Sequence, residues 1–290
     1  MRELKILAIV VFFTGVLYWG VEPFAHTKLH PHVPAPDYTF KDVDGLNGLI
    51  GDATKGAESV ASNCTACHSI TAVGFPPVMD DVTSAASYGV VPPDLSTSGK
   101  IYNADYLAAF IKDPAKAAKT AHKFEDGAAH PMPAYNWMEP QEIANIVAYL
   151  QSIAPKEMTN KEVYVDACQR CHSIKYGDFY GGSMAAQTPD ENIKSYMGVI
   201  PPDLSQMIRS RSEGFLHEFI NDPQKHLHGT AMPRVGLTQD SEDQVIGYLT
   251  EAGDSKKAER EALAGPFLGY LVIFAIFALL WKMKIWRQVH

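Results

Sequence analysis

Two long apolar runs bracket a chain that is otherwise polar and punctuated by proline and glycine. The first, Ile6 to Val21, follows Arg2 and Lys5; the second, Leu263 to Trp281, is followed by Lys282, Lys284 and Arg287. At helical rise the 19 residues of the second run cover roughly 28 Å, the thickness of a hydrocarbon core. Gly265 and Pro266 fall at its start, where a proline costs a helix least. The first run has the positive start and apolar core of a signal peptide. No A-x-A-like cleavage site follows it, and Glu22-Pro23 stands where small residues would be needed, so a retained anchor is favoured. Positive charge at both outer ends places both termini in the cytoplasm and everything between them on the far side.

Between the runs, Lys55 to Ser62, Ala104 to Lys112 and Pro140 to Ile153 have helical spacing, the last with Ile143, Ile146, Val147 and Leu150 on one face. No alternating strand pattern stands out. A spacer with Pro31, Pro34 and Pro36 runs from His26 to Tyr38 and reads as extended and stiff. A polar segment, Gly253 to Glu261, leads into the second apolar run.

The middle of the chain is written twice. Cys64-Thr-Ala-Cys67-His68-Ser69 returns as Cys168-Gln-Arg-Cys171-His172-Ser173, and Pro92-Pro93-Asp94-Leu95-Ser96 as Pro201-Pro202-Asp203-Leu204-Ser205. Phe110-Ile111 with Asp113-Pro114, Met132-Pro133 and Tyr149-Leu150 recur as Phe219-Ile220 with Asp222-Pro223, Met232-Pro233 and Tyr248-Leu249. The offsets lie between 99 and 109 residues, the drift that loop-length change produces, so one domain of ordinary size has been duplicated. The organisation expected is an anchor or signal peptide at 1–21, a spacer at 22–45, domains at 46–155 and 156–252, a linker at 253–262, a transmembrane helix at 263–281 and a tail at 282–290.

Charge changes the picture in one respect. The total is −8, residues 1–5 carry +1 and residues 282–290 carry +3, so the exported part carries −12. That favours basic partners and argues against nucleic acid.

C-x-x-C-H is the attachment signature of haem c: two thiols add to the vinyl groups and the histidine ligates the iron. A zinc site from the four cysteines and redox disulfides are the rival readings, but neither explains a histidine directly after both pairs. Two covalent haems c are expected, on Cys64, Cys67 and His68 and on Cys168, Cys171 and His172. Met132 and Met232, matched in the repeat, are the expected second axial ligands. The competitors are His122 or His130 for the first iron and His226 or His228 for the second; Met79, Met184 and Met197 have no repeat counterpart. The Pro-Pro-Asp-Leu-Ser segments read as rigid turns with a helix cap, with Pro93 and Pro202 counted among the haem-contacting residues. Arg209 and Arg211, found only in the second copy, suit haem propionates or a solvated helix face.

These motifs resemble class I cytochrome c twice over, which implies an all-α fold of two tandem class I cytochrome c domains with N-terminal and C-terminal transmembrane helices. The second copy further resembles cytochrome c1 of quinol–cytochrome c reductases, through Cys168 to Ser173, Pro201 to Ser205, Ile208 to Arg211 and the run into the C-terminal anchor. The whole chain is similar to the dihaem form of the campylobacter-like group. In that family an arginine at the position of Arg211 approaches a propionate. The resemblance implies cytochrome b and the Rieske iron–sulfur protein as neighbours, a soluble cytochrome c or terminal oxidase as acceptor, and haem domains in the periplasm on the inner membrane. It implies an electron-transfer subunit with no independent catalytic chemistry. A dihaem subunit of a haem–copper oxidase and a dihaem peroxidase are the alternatives; the C-terminal anchor weighs against the first and the paired Met-Pro motifs against the second.

Overall fold

The structure, a computed structural model, describes residues 2–29, 33–124, 129–178 and 190–289. Among these residues it is helical, with isolated bridges at Ile70–Phe75 and Tyr102–Leu237 in place of strands. Met184 and part of the proline-containing spacer lie outside the described residues.

Helix α1 (Arg2–Val16) runs through a π-helical turn, Leu17–Val21, into α2 (Glu22–Leu29). Residues 22–29 are therefore helical, not an extended spacer. The π turn explains how Pro23 is tolerated: proline has no N–H, and its ring crowds the carbonyl one turn back, so widening the preceding turn relieves the clash. At the other end, α11 (Lys257–Val289) has 33 residues, about 50 Å of helix. It begins earlier and ends later than the apolar run alone suggested. The reason is local, since Lys257 to Ala262 are strong helix formers and Arg260 pairs with Asp254 at 2.8 Å. The polar linker shrinks to residues 254–256, and Pro266 stands inside the helix instead of in its first turn. Both terminal helices are long and apolar enough to cross a membrane, and neither buries its apolar side chains against the rest of the chain. Continuous exposed apolar surface of that length calls for lipid. Lys282 Nζ lies 3.5 Å from Glu3 Oε2, so the two helices end side by side.

The first domain is built on α3 (Ala53–Asn63), capped by Asp52, which packs across α6 (Pro140–Ile153). Gly56 makes the crossing: a Cβ there would run into the Asn145 carbonyl and the Tyr149 side chain. Around it Val60, Ile70, Leu107, Ile111, Ile143, Ile146, Val147 and Leu150 form one core, each such side chain stabilising the fold by about 1.5–3 kcal/mol. Helices α4 (Asp81–Tyr88) and α5 (Ala104–Lys112) complete the unit. The second domain repeats the plan with α7 (Asn160–Tyr164), α8 (Asp190–Met197), α9 (Glu213–Asn221) and α10 (Gln239–Gly253), and α7 crosses α10.

The two domains are not beads on a string. Ile101 of the first sits in the core of the second. Backbone bonds join Asn103 N to Gly236 O, Thr238 N to Ile101 O and Arg234 N to Ala118 O, each at 2.9 Å. Gly236 has φ of 73°, and a side chain there would overlap the Tyr106 ring. The spacer is also docked. Phe40 is buried under the Arg234 guanidinium, which holds Asp42 through both carboxylate oxygens at 2.8 Å, and Tyr38 donates to Glu242 at 2.7 Å. Phe40 also packs on Tyr106, Ala109 and Ala117 of the first domain, so residues 38–42 are a strap over both domains, not a free tether.

Candidate functional site

Each Cys-x-x-Cys-His segment closes into the same turn. Cys67 N donates to Cys64 O at 3.1 Å and His68 N to the same oxygen at 2.9 Å; Cys171 and His172 repeat both bonds on Cys168 O at the same lengths. One turn therefore sets two sulfurs and an imidazole in fixed relation. His68 Nδ1 lies 2.8 Å from the Pro93 carbonyl and His172 Nδ1 2.9 Å from the Pro202 carbonyl. A carbonyl can only accept, so Nδ1 carries the proton and Nε2 keeps its lone pair, the state a metal ligand needs. Burial pushes both imidazoles below the ordinary histidine range, which keeps them neutral.

The Pro-Pro-Asp-Leu-Ser segment does more than cap a helix. Asp94 accepts from Ser69 Oγ (2.9 Å), Thr71 N (3.1 Å) and Ser96 N (2.7 Å), and Leu95 N returns a bond to Ser69 O (2.9 Å). Asp203 accepts from Ser173 Oγ (2.7 Å), Lys175 N (3.1 Å) and Ser205 N (3.0 Å), with Leu204 N on Ser173 O (2.8 Å). These bonds hold both carboxyls below the usual carboxylate range, against the opposing effect of burial. The prolines fix the chain just before the aspartate and aim the carbonyl at the histidine ring.

A cavity of about 1850 Å³, mouth included, opens over the first site. Cys64, Cys67, His68 and Met132 line it, as do Met197, Arg170, Cys171 and Tyr196 from the second domain. The residues fit a haem. Two free thiols and an imidazole with Nε2 available line it together with Met132, and the buried Arg170 Nε has no partner among the described residues. Burial raises the Cys64 thiol to about 11 and that of Cys168 to about 12. Among the described residues, no three of the histidine, cysteine, aspartate and glutamate side chains converge in metal-binding fashion. The two cysteine pairs therefore do not meet in one zinc site.

Met132 and Met232 occupy equivalent turns. Met132 N donates to His130 Nδ1 at 3.2 Å and Met232 N to Thr230 Oγ1 at 3.3 Å. His130 thus holds the position that Thr230 holds in the other copy, and it lines the same cavity as Met132. Its Nδ1 also lies 3.0 Å from Met132 O. His122 and His228 are exposed. His226 lies against Phe215 and Phe219, with Nε2 3.8 Å from Glu218. Met79 lines a smaller neighbouring cavity. Met232 packs against the core that also contacts Cys168.

Arg209 and Arg211 are both exposed. Arg211 lies 5.6 Å from the centre of the Phe215 ring, and Arg209 adds positive charge near Asp254. Two arginines line the main cavity instead: Arg234, which is engaged with Asp42, and Arg170, between the cysteines of the second motif, where the first motif has Ala66. The strap residues Tyr38 and Asp42, and Arg234 that holds the strap, also escaped the sequence reading. The difference at 66 and 170 was the available signal for Arg170; the other three depend on contacts between distant segments.

The cytochrome c family profile matches residues 53–154, the first α3–α6 unit with its Cys-x-x-Cys-His turn and Met132. That segment is a cytochrome c domain, and such a domain implies covalently bound haem c. No curated protein matches the chain significantly. A solved chain titled "Hyperthermophilic respiratory Complex III" aligns over 98% of this chain and 99% of its own length, at 17% identity and a TM-score of 0.34. A likeness at that score carries no argument about function.

Proposed function

We propose that the chain is a membrane-anchored dihaem c-type cytochrome, an electron-transfer subunit of a quinol–cytochrome c reductase. The observation that carries the reading is the duplicated lattice from histidine to proline carbonyl and from aspartate to serine, which presents Nε2 identically beside two cysteine pairs. Haem c, when bound, supplies a one-electron iron couple. The chain's own work is attachment through Cys64, Cys67, Cys168 and Cys171, orientation of His68 and His172 by Pro93 and Pro202, and a sulfur ligand from Met132 and Met232. The Rieske protein as donor, cytochrome b as neighbour and a soluble cytochrome or terminal oxidase as acceptor follow from the c1-like residues 168–173 and 201–211. The haem domains then face the periplasm and both termini the cytoplasm, as the charges at residues 2–5 and 282–287 favour.

Purification of the full chain from native membrane tests the partner assignment. Cytochrome b and a Rieske protein in stoichiometric amounts support it, and oxidase subunits in their place refute it. Carbon monoxide tests the ligation: stoichiometric binding at either reduced haem would refute a methionine ligand there and favour a peroxidase-like open site.

A further inference from the structure

The backbone at residue 170 belongs to the second Cys-x-x-Cys-His turn, yet the side chain lines the cavity over Cys64, Cys67, His68 and Met132, and also the smaller cavity beside Cys67 and Pro93. Its guanidinium lies near the Tyr102 side chain, which lines both cavities with it. Its charge acts at His68 in the first site as well as at the Cys168 and Cys171 thiols in the second. Asp166 is the acidic group beside it, but Oδ2 of Asp166 accepts from Thr97 Oγ1 at 2.6 Å. Among the described residues Arg170 makes no ion pair, and its Nε is buried without a partner. A guanidinium Nε buried without a partner costs free energy, and a planar five-donor fork is shaped for a carboxylate. Met132 and the rest of this cavity offer none. Haem c carries two carboxylates, its propionates.

We propose that Arg170 serves the haem of the other domain: it binds a propionate of the haem held by Cys64 and Cys67, and makes that haem the more easily reduced of the two. This rests on the dihaem reading above. A fixed positive charge in a poorly solvated site disfavours the ferric state, which carries one more positive charge than the ferrous. Its placement between the sites gives the pair a built-in slope from the second haem toward the first, and ties that slope to the packing of the two domains. Arg209 and Arg211, exposed and lining neither cavity, do not supply it.

The test is a redox titration of the full chain with both haems, in wild type, R170Q and R170K. The first haem's wave is identified by adding Met132→His to each. Two haems per chain by mass are required first; fewer would mean that the dihaem reading itself has failed. With two present, R170Q should shift the first haem's reduction equilibrium about tenfold toward the oxidised form, about 59 mV for one electron. The second haem should move by less. R170K, which keeps the charge and loses the fork, should shift the first haem by a smaller amount. An unmoved first haem, or a second haem that moves as far or further, overturns the proposal. If R170Q does not take up haem, R170K carries the test by the same comparison between the two waves.

Discussion

At His68 and His172 one hydrogen bond decides which ring nitrogen is free, and that bond depends on a carbonyl some 25 to 30 residues further along the chain. The aspartates that hold those carbonyls in place are therefore structural keystones of the site. Asp94→Ala removes the acceptor of three bonds and should destabilise the first domain by about 1–3 kcal/mol, read as a lower melting temperature. Loss of the methionine-to-iron charge-transfer band in that variant ahead of global unfolding would show the clamp acting on the haem pocket. Met132→His should lower the first haem's potential and leave the second nearly unmoved, because histidine favours the ferric iron more than methionine does. Equal shifts at both haems would mean that the assignment of Met132 is wrong. The matched turns that carry the cysteines, histidines and methionines were legible in the sequence because each is fixed by spacing and recurs in the repeat. The placement of Arg170 was not, since its neighbour Tyr102 lies far away in the chain and no local pattern marks which cavity a side chain will line.

Among the elements, the crossing of α3 and α6 depends on Gly56. Gly56→Val should cost about 3 kcal/mol or more, because the obstacle is a backbone carbonyl that cannot move aside. Haem loss from the first site alone, with the second retained, is the expected phenotype. The helices themselves were readable from apolar spacing, as Ile143, Ile146, Val147 and Leu150 on α6 illustrate. Their ends were not: α11 runs through the segment read as a linker, and α2 through part of the spacer, because helix propensity there outweighed polarity and proline. The strap at Tyr38 is similarly invisible in sequence. It meets a buried Glu242, which also lies 2.8 Å from His217 Nδ1. The hydrogen bond to Glu242 raises His217 above its ordinary value of 6.5, and burial raises the Glu242 carboxyl. Both folded values are raised, so this contribution is present at low pH and fades as pH climbs through the folded values. Stability measured from pH 6.5 upward should decline, and His217→Gln should flatten that slope; an unchanged slope would remove the cluster from the account.

For the whole molecule, the strap and the shared core join two cytochrome-like units into one body. The c1-like residues favour the second site as the acceptor from the Rieske protein and the first as the donor onward, in agreement with the slope proposed for Arg170. Rapid kinetics separates the directions. Met232→His should slow reduction by the Rieske protein, whereas Met132→His should spare that step and slow delivery to the acceptor; the reverse pattern would turn the order around. All of this depends on the chain carrying two haems. The most direct measurement is the intact mass of the chain purified from its own membrane, alongside Cys64/Cys67→Ser and Cys168/Cys171→Ser variants. The account predicts two covalent haems in the first and one in each variant. A wild-type mass with a single haem, or a variant that keeps both, would contradict it.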